Sequence, residues 1–335
     1  MHPLSPFTSA NLILLFHSVR SKAWFADTLR RVGQFYRFVS VEDVESYYYG
    51  DRTLTGSCHV TFDDGERTVY ENALPVLRDM KIPATVFVSP GVVTEGRNYW
   101  FQELRIVRAA VGDARVKEAI CDSIGCTLAS LQKYSVLSLL KCMNLAAITS
   151  TIGSLKARHA IRIEERFNVS VAELREMIDS GAIAVGGHTI NHPILSNESD
   201  ETAEREIRES LEGLSGITGS QVKYFSPPNG SKLDYGDRET AILERNGVKL
   251  TFTYSLGFFG RKSNPMSLPR AAFSMSRSDQ NRAIVPKILL VPVWGGIRYL
   301  VRLGRTEERE RLEVRKHLLP ARDGVLQCGE TRTGP

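Results

Sequence analysis

Two adjacent carboxylates, Asp63 and Asp64, stand directly after the apolar run 59–62 and before Gly65, in the string Thr61-Phe62-Asp63-Asp64-Gly65. Like charges this close raise each other's pKa, and a nearby cation relieves the cost. A strand that turns sharply at Gly65 could aim one carboxylate at a metal ion and leave its neighbour beside a water that the ion activates. Taken alone, Asp-Asp-Gly is also an ordinary turn. A second group is His188 and His192, four residues apart and followed by Pro193. That spacing puts two imidazoles on one face of a helical turn, where they can meet one metal. Pro193 disfavours helical geometry at His192, so a single turn at a strand's end is expected. By itself such a pair also fits two solvated or capping side chains. The third group is Ser226-Pro227-Pro228-Asn229-Gly230. It reads as a rigid loop whose backbone N–H groups, from Asn229 onward, could serve an oxyanion, or as an ordinary tight turn. One carboxylate and two histidines would leave a metal position open for water, the pattern of a catalytic rather than a closed structural site.

Positioning these groups is a task for the surrounding elements. Apolar runs of strand length at 11–16, 59–62, 84–88, 182–185, 222–225 and 248–254 alternate with amphipathic stretches at 25–36, 41–49, 70–80, 171–180, 201–214 and 238–246. The alternation predicts an α/β fold with a mainly parallel sheet or barrel. Each of the three groups follows a strand, so in a β/α barrel all three would meet at the C-terminal face. Over about 99–168 the alternation stops and the sequence reads as helical throughout, with apolar positions such as Leu128, Leu131, Val136, Leu139, Leu140 and Met143. This is a helical insertion, either a lid or substrate wall or a packing appendage.

Composition restricts the function classes. The chain has 335 residues, 42% apolar and 24% charged, which excludes long disorder and fibrous repeats. Its net charge of +5 is spread over interleaved acidic and basic residues, so no nucleic-acid footprint is implied. Cys58, Cys121, Cys126, Cys142 and Cys328 form no disulfide framework and no pair of metal-spaced doublets, and are expected to be buried reduced thiols. The apolar run 12–16 is too short for a signal segment and lacks a preceding basic region. No stretch approaches the ~20 apolar residues of a membrane span. A cytoplasmic location is therefore expected. Residues 284–319, apolar and then basic, could lie in a membrane interface, or pack against the domain.

Together the three groups resemble the polysaccharide deacetylase family, also called NodB-homology or carbohydrate esterase family 4. The family's TFDDG motif stands verbatim at 61–65, and its His-(Ser/Thr)-x-x-His-Pro motif at 188–193. Asn72-Ala73-Leu74-Pro75 and the segment 82–88 share the family's character. The resemblance covers roughly 12–273 without the insertion. It implies a distorted (β/α) barrel over 10–280, interrupted at about 99–168, with an apolar and basic extension at 281–335. It also implies hydrolytic removal of N-acetyl groups from amino sugars, assisted by a divalent metal, with zinc expected and cobalt, nickel or manganese as alternatives. Asp64, His188 and His192 would hold the metal, Asp63 would be the general base, and the backbone at Asn229 and Gly230 would help to bind the oxyanion.

The sequence departs from the family pattern in three places. The third motif usually opens with an Arg that orients the base, but Ser226 stands there, and Arg270 is the candidate substitute. The fourth motif is not recognisable after Gly230. The fifth, Leu-x-His, supplies the general acid, and here it occurs as Leu15-Phe16-His17 at the first strand, the permuted order of bacterial poly-N-acetylglucosamine deacetylases. His17 is accordingly the candidate acid, with a strand-end structural histidine as the alternative. His2, His59, His159 and His317 are read as structural or surface residues. The expected substrate is a glycan, a lipid-linked intermediate or a small glycoside. The alternatives are a catalytically impaired carbohydrate-binding protein and hydrolysis of another amide or an N-formyl group.

Overall fold

The computed structural model of the protein describes residues 10–274 and 306–318. The strands are β1 (Leu12–Phe16), β2 (Arg37–Phe38), β3 (Ser57–Phe62), β4 (Ala84–Val88), β5 (Ile183–Gly187), β6 (Tyr224–Phe225), β7 (Leu250–Thr253), β8 (Leu268–Pro269) and β9 (Ala271–Ala272). Every pairing between them is parallel, in the order β8-β7-β6-β5-β4-β3-β1-β9, with β2 on β3. Parallel strands are covered on both faces, which is why β1, β3 and β4 are buried along their whole length.

Only Arg270 separates β8 from β9. On one side of it Leu268 and Pro269 pair with Phe252 and Thr253, and on the other Ala271 and Ala272 pair with Leu14 and Leu15. The last described strand segment thus passes from the end of the sheet back to its first strand. The result is an α/β protein with a nearly closed, distorted parallel barrel. Alternate residues of β1 part between two layers. Leu12, Leu14 and Phe16 join the outer layer with Phe25 and Leu29, while Ile13 joins an inner cluster with Phe87, Leu250 and Phe252.

The surrounding helices are α1 (Lys22–Gly33), α2 (Val41–Tyr49), α3 (Leu74–Met80), α4 (Pro90–Glu95), α5 (Trp100–Ile124), α6 (Leu128–Leu131), α7 (Val136–Leu140), α8 (Leu145–Arg158), α9 (Val171–Asp179), α10 (Asp200–Thr218), α11 (Asp237–Arg245) and α12 (Thr306–Leu318). The single helix expected over 70–80 is divided: Val69–Ala73 is a π-helical turn before α3. Pro75 has no N–H and its ring crowds the carbonyl four residues earlier, so the preceding turn widens.

The insertion has its own core, in which Leu104, Val107, Ile120, Leu131, Leu139 and Ile148 are buried together. It is not helical throughout, as the sequence suggested. Gly112 breaks α5 with φ 79°, and the chain from 161 to 168 returns in irregular backbone that bonds to Arg67 and bridges to Glu66. Cys121 and Cys126 face each other as free thiols, Sγ to Sγ 3.3 Å. Val314 of α12 is fully buried in this same core, so α12 packs on the insertion. The apolar stretch 284–301, on which the expectation of membrane contact chiefly rests, lies outside the described residues. Among those described, no helix is long and apolar enough to cross a membrane.

Candidate metal centre

In-register pairing sets the strand ends level. Phe16 pairs with Phe62, Val88 with Gly187, and Gly187 with Phe225. The segments that follow β1, β3, β5 and β6 therefore open at one mouth of the barrel. After β3 the chain turns through Asp64 at φ 70° and Gly65 at φ 64°. A Cβ on Gly65 would lie 2.6 Å from a methyl of Val88, so glycine is required at this turn.

The turn aims Asp64 at both imidazoles. Its Oδ1 lies 3.3 Å from His188 Nε2 and 3.4 Å from His192 Nε2, and one ligand atom from each of the three residues falls within 4.8 Å of the others. All three are buried. His188 Nδ1 is 2.5 Å from the carbonyl oxygen of Ser226 and can only donate to it, which turns the Nε2 lone pair toward Asp64. A carboxylate oxygen and a nitrogen lone pair facing each other need a positive charge between them, and a divalent cation meets that need. The residues therefore fit a divalent metal ion, with one carboxylate oxygen and two imidazole nitrogens as donors.

Where a proton rather than a metal cation lies between these atoms, the imidazoles bond to Asp64, and the ionisations respond to that pairing. Burial alone would raise the Asp64 carboxyl, yet its bonds to His188 and His192 hold it well below the usual carboxylate range. Burial would also lower His188, but Asp64 and the charge of Asp63 outweigh that and leave it raised. His192 ends lowered, since burial prevails there and the neighbouring His188 adds to it. Its Nδ1 is buried without a partner among the described residues.

Asp63 points elsewhere. Its two oxygens accept from Arg270, Nη1 to Oδ1 at 2.7 Å and Nη2 to Oδ2 at 2.8 Å, and the pair is almost entirely buried. Ser226 Oγ joins them, 2.9 Å from Arg270 Nη2 and 3.3 Å from Asp63 Oδ2. Burial pushes the Asp63 carboxyl up, but Arg270 and then His188 outweigh it and leave it below its ordinary value. The small side chain at 226 leaves the Arg270 fork its place. Arg270 reaches in because it is the one residue between the two strand segments that close the barrel.

His17 is exposed at the end of β1 and lines a cavity of about 260 Å³ together with Asp63, Asp64, His188, His192 and Asn229. Two expectations need correction. His188 and His192 do not meet on a helical turn: Thr189 and His192 both take φ 62°, and the intervening backbone is irregular. Nor does the Gly230 N–H face the cavity as a free donor. Asn229 at φ 60° folds the chain back so that this N–H donates to Pro228 O at 2.7 Å. A buried side-chain donor of this loop, Nδ2 of Asn229, has no partner among the described residues.

The start of the insertion belongs to the site, which sequence reasoning missed. Tyr99 and Phe101 pack against His192, with ring centroids 5.2 and 5.0 Å away. Tyr99 Oη donates to the Asp64 carbonyl at 2.9 Å and Trp100 Nε1 to the His192 carbonyl at 3.1 Å. Three successive aromatics at the insertion's entry were the available signal. Leu137 and Lys141 also line the cavity, so the insertion is a wall of the site rather than an appendage.

Comparison with known proteins accords with this arrangement. A stretch of 59 residues is 37% identical to the poly-beta-1,6-N-acetyl-D-glucosamine N-deacetylase of Staphylococcus aureus. It covers 18% of this chain and 20% of that protein, so the match spans about a fifth of the curated relative's length. Among solved structures, IcaB from Ammonifex degensii superposes with a TM-score of 0.55 at 20% identity, over 84% of this chain and 97% of its own. The Streptococcus pyogenes deacetylase PplD gives 0.52 at 18% identity, over 79% and 92%, and the BpsB deacetylase domain from Bordetella bronchiseptica 0.52 at 14%, over 79% and 96%. At these identities the superpositions speak for the fold alone. The sequence profile of the polysaccharide deacetylase family matches residues 51–112 and 132–252, more than half of the chain and including Asp63, Asp64, His188 and His192. The chain belongs to the polysaccharide deacetylase family.

Proposed function

We propose that the protein is a metal-dependent N-deacetylase that hydrolyses the acetamide of an amino-sugar residue within a glycan. The observation that carries this reading is the division of labour between two adjacent carboxylates. Asp64 converges with two histidines, and Asp63 is held ionised by an arginine beside them.

Asp64, His188 and His192 would hold the divalent ion, zinc being the expected one. When bound, such an ion polarises the amide carbonyl and makes water a stronger nucleophile at neutral pH. Asp63, oriented by Arg270 and Ser226, accepts the proton of the attacking water as general base. Asn229, which lines this cavity, would donate through its side-chain amide to the oxygen that gains charge as the C–O bond forms. His17 delivers a proton to the nitrogen as the C–N bond breaks, leaving acetate and a free amine.

The space available favours a substrate longer than one sugar. The cavity at the metal centre shares His17, Lys141, Asn229 and Tyr254 with a second one of about 550 Å³ that runs to α12. The names of the S. aureus relatives, poly-beta-1,6-N-acetyl-D-glucosamine N-deacetylase, point the same way. A carbohydrate-binding protein without chemistry drew support from the missing arginine at 226 and the unrecognised fourth motif, and the Arg270 fork on Asp63 weighs against the first of these.

The test is acetate release and product mass from N-acetylglucosamine oligosaccharides, with N-formyl analogues alongside. Turnover is expected with added zinc, loss with chelator, and at least a thousandfold lower kcat in Asp63→Asn. Chelator-insensitive hydrolysis, or full activity of that variant, would sink the reading.

A further inference from the structure

A carboxylate outside the metal centre holds the backbone that carries both histidines. On α10 the buried positions are Ala203, Glu206, Ile207, Ser210, Leu211 and Leu214, an apolar stripe at helical spacing into which a glutamate intrudes. Glu206 is 2% exposed, and a charge so buried needs partners. It finds them on the stretch between the two candidate ligands. Glu206 Oε2 accepts from Ile190 N and Asn191 N, both at 2.9 Å, and Oε1 accepts from Asn191 Nδ2 at 2.7 Å. Its own backbone carbonyl accepts from Ile190 N at 3.1 Å. Two successive backbone N–H groups converging on one anion form a concave nest, and here the anion is part of the protein.

That stretch has no regular secondary structure to hold it. Two of its non-glycine residues, Thr189 and His192, sit at φ 62°, at a cost of about 1–2 kcal/mol each. What fixes the loop is the ring of contacts around it. Arg97 Nη2 donates to Asn191 Oδ1, and Ser89 Oγ donates to the His188 carbonyl at 2.8 Å. Gly91 backs the loop closely: a Cβ there would lie 2.7 Å from Ile190 and 2.8 Å from Asn191 Oδ1. Of these contacts, Glu206 alone meets three donors, and all three lie between His188 and His192.

We infer that Glu206 is a positioning residue for the metal centre: by binding the amides of Ile190 and Asn191 it fixes the separation and aim of His188 and His192. It touches neither substrate nor metal. The inference rests on the reading of Asp64, His188 and His192 as metal ligands. Its consequence is a metal affinity that depends on a helix residue outside every motif of the sequence. Outer partners of metal ligands typically contribute 10–100-fold to affinity.

The test measures zinc binding by the full chain in competition with a chromophoric chelator, together with the visible spectrum after cobalt loading. In Glu206→Gln one acceptor oxygen is replaced by an amide that opposes the loop N–H groups. Zinc affinity should fall 10–100-fold and the cobalt bands should shift, while the metal-free unfolding midpoint stays within a few degrees of wild type. Unchanged zinc affinity overturns the inference, as does a weakening that merely tracks collapse of the metal-free fold. If Glu206→Gln does not fold, Asn191→Ala removes the Oε1 partner and the Arg97 acceptor. It should weaken zinc by a smaller factor, about 3–10-fold, and no change there overturns the inference equally. Wild-type protein that fails to bind zinc or cobalt would instead overturn the proposed metal centre itself.

Discussion

Among the described residues two arginine–carboxylate pairs have both partners buried, and they do opposite things. Arg270 grips Asp63 with both arms at the barrel mouth, each contact under 3 Å, and leaves the carboxylate beside the candidate metal ligands. Arg311 of α12 reaches Asp234 with one arm, at 2.5 Å, and also touches the Lys141 carbonyl at 3.3 Å. Asp234 spends its other oxygen on Ser231, at 2.5 Å from the hydroxyl. The first pair orients a group for chemistry. The second fastens a helix across the gap between insertion and barrel, where both of its residues line the outer part of the cleft. Equal burial therefore says little about role, and the neighbours decide it. Removing one partner of such a pair leaves an uncompensated buried charge, at a cost of about 3–5 kcal/mol.

Breaking the first pair should give the largest effect. Arg270→Ala is expected to lower kcat about a thousandfold, because Asp63 loses both its orientation and the charge that keeps it ionised. Burial would then push the carboxyl upward against only the smaller pull of His188 and His17, so the acidic limb of the kcat/KM profile should move to higher pH. An unmoved limb would show that Arg270 is not what sets the base. Breaking the second pair should separate stability from chemistry. Arg311→Ala is expected to cost about 3–5 kcal/mol in chemical denaturation. Yet kcat on the shortest substrate turned over should stay within a few-fold of wild type, with KM for longer oligosaccharides rising. A thousandfold loss on short substrates would erase the contrast.

His59 extends the contrast to a buried group whose direct partners are both neutral, with Asp43 acting on it only weakly. It lies within β3 between the Val39 carbonyl and the Thr85 hydroxyl, each 2.9 Å away, and burial pushes it down from 6.5 to about 4. Its folded value is depressed, so the folded protein binds fewer protons than the unfolded chain between those limits. The associated stability is fully present above pH 6.5, falls as pH drops toward about 4, and is constant below that. The whole span is on the order of 3 kcal/mol. Denaturation midpoints from pH 7 to pH 5 should show this slope in the wild type and a flatter one in His59→Gln. Equal slopes would count against it.

Much of this was legible beforehand, for identifiable reasons. Parallel strands buried on both faces leave runs that are mostly apolar, so β1 and β4 could be read directly and β3 in its second half, and the first motif follows β3. Arg270 was a candidate only through its place after a late strand. What made it effective, the passage of one segment from β7 to β1, is a long-range pairing that no local pattern records. The left-handed turns at Thr189, His192 and Asn229 were hidden for a related cause. Those conformations are imposed by contacts such as Glu206 to Ile190 and Asn191, from residues distant in sequence. Glycine would have announced them most plainly, and of the three Asn229, a type that tolerates this conformation, came nearest to such a signal. Glu206 itself was visible as a charge within an apolar stripe, but the pattern does not name its partner.

The smallest expected effect bears on how Ser226 takes part in the first pair. Its hydroxyl is close to Arg270 Nη2 and Asp63 Oδ2, while its carbonyl fixes His188. Ser226→Ala keeps the carbonyl and removes the hydroxyl alone. Arg270 still holds both oxygens of Asp63 in that variant, so the loss is the hydroxyl's bonding to two charged groups, one of them long at 3.3 Å, about 1.5 kcal/mol. That corresponds to roughly a tenfold lower kcat, with zinc affinity unchanged because the His188 anchor is intact. A hundredfold loss would mean that the serine, not the arginine fork, sets the aim of Asp63. A loss of zinc affinity would mean that the two carboxylates are not handled separately, since the change would have crossed from Asp63 to the cluster around Asp64.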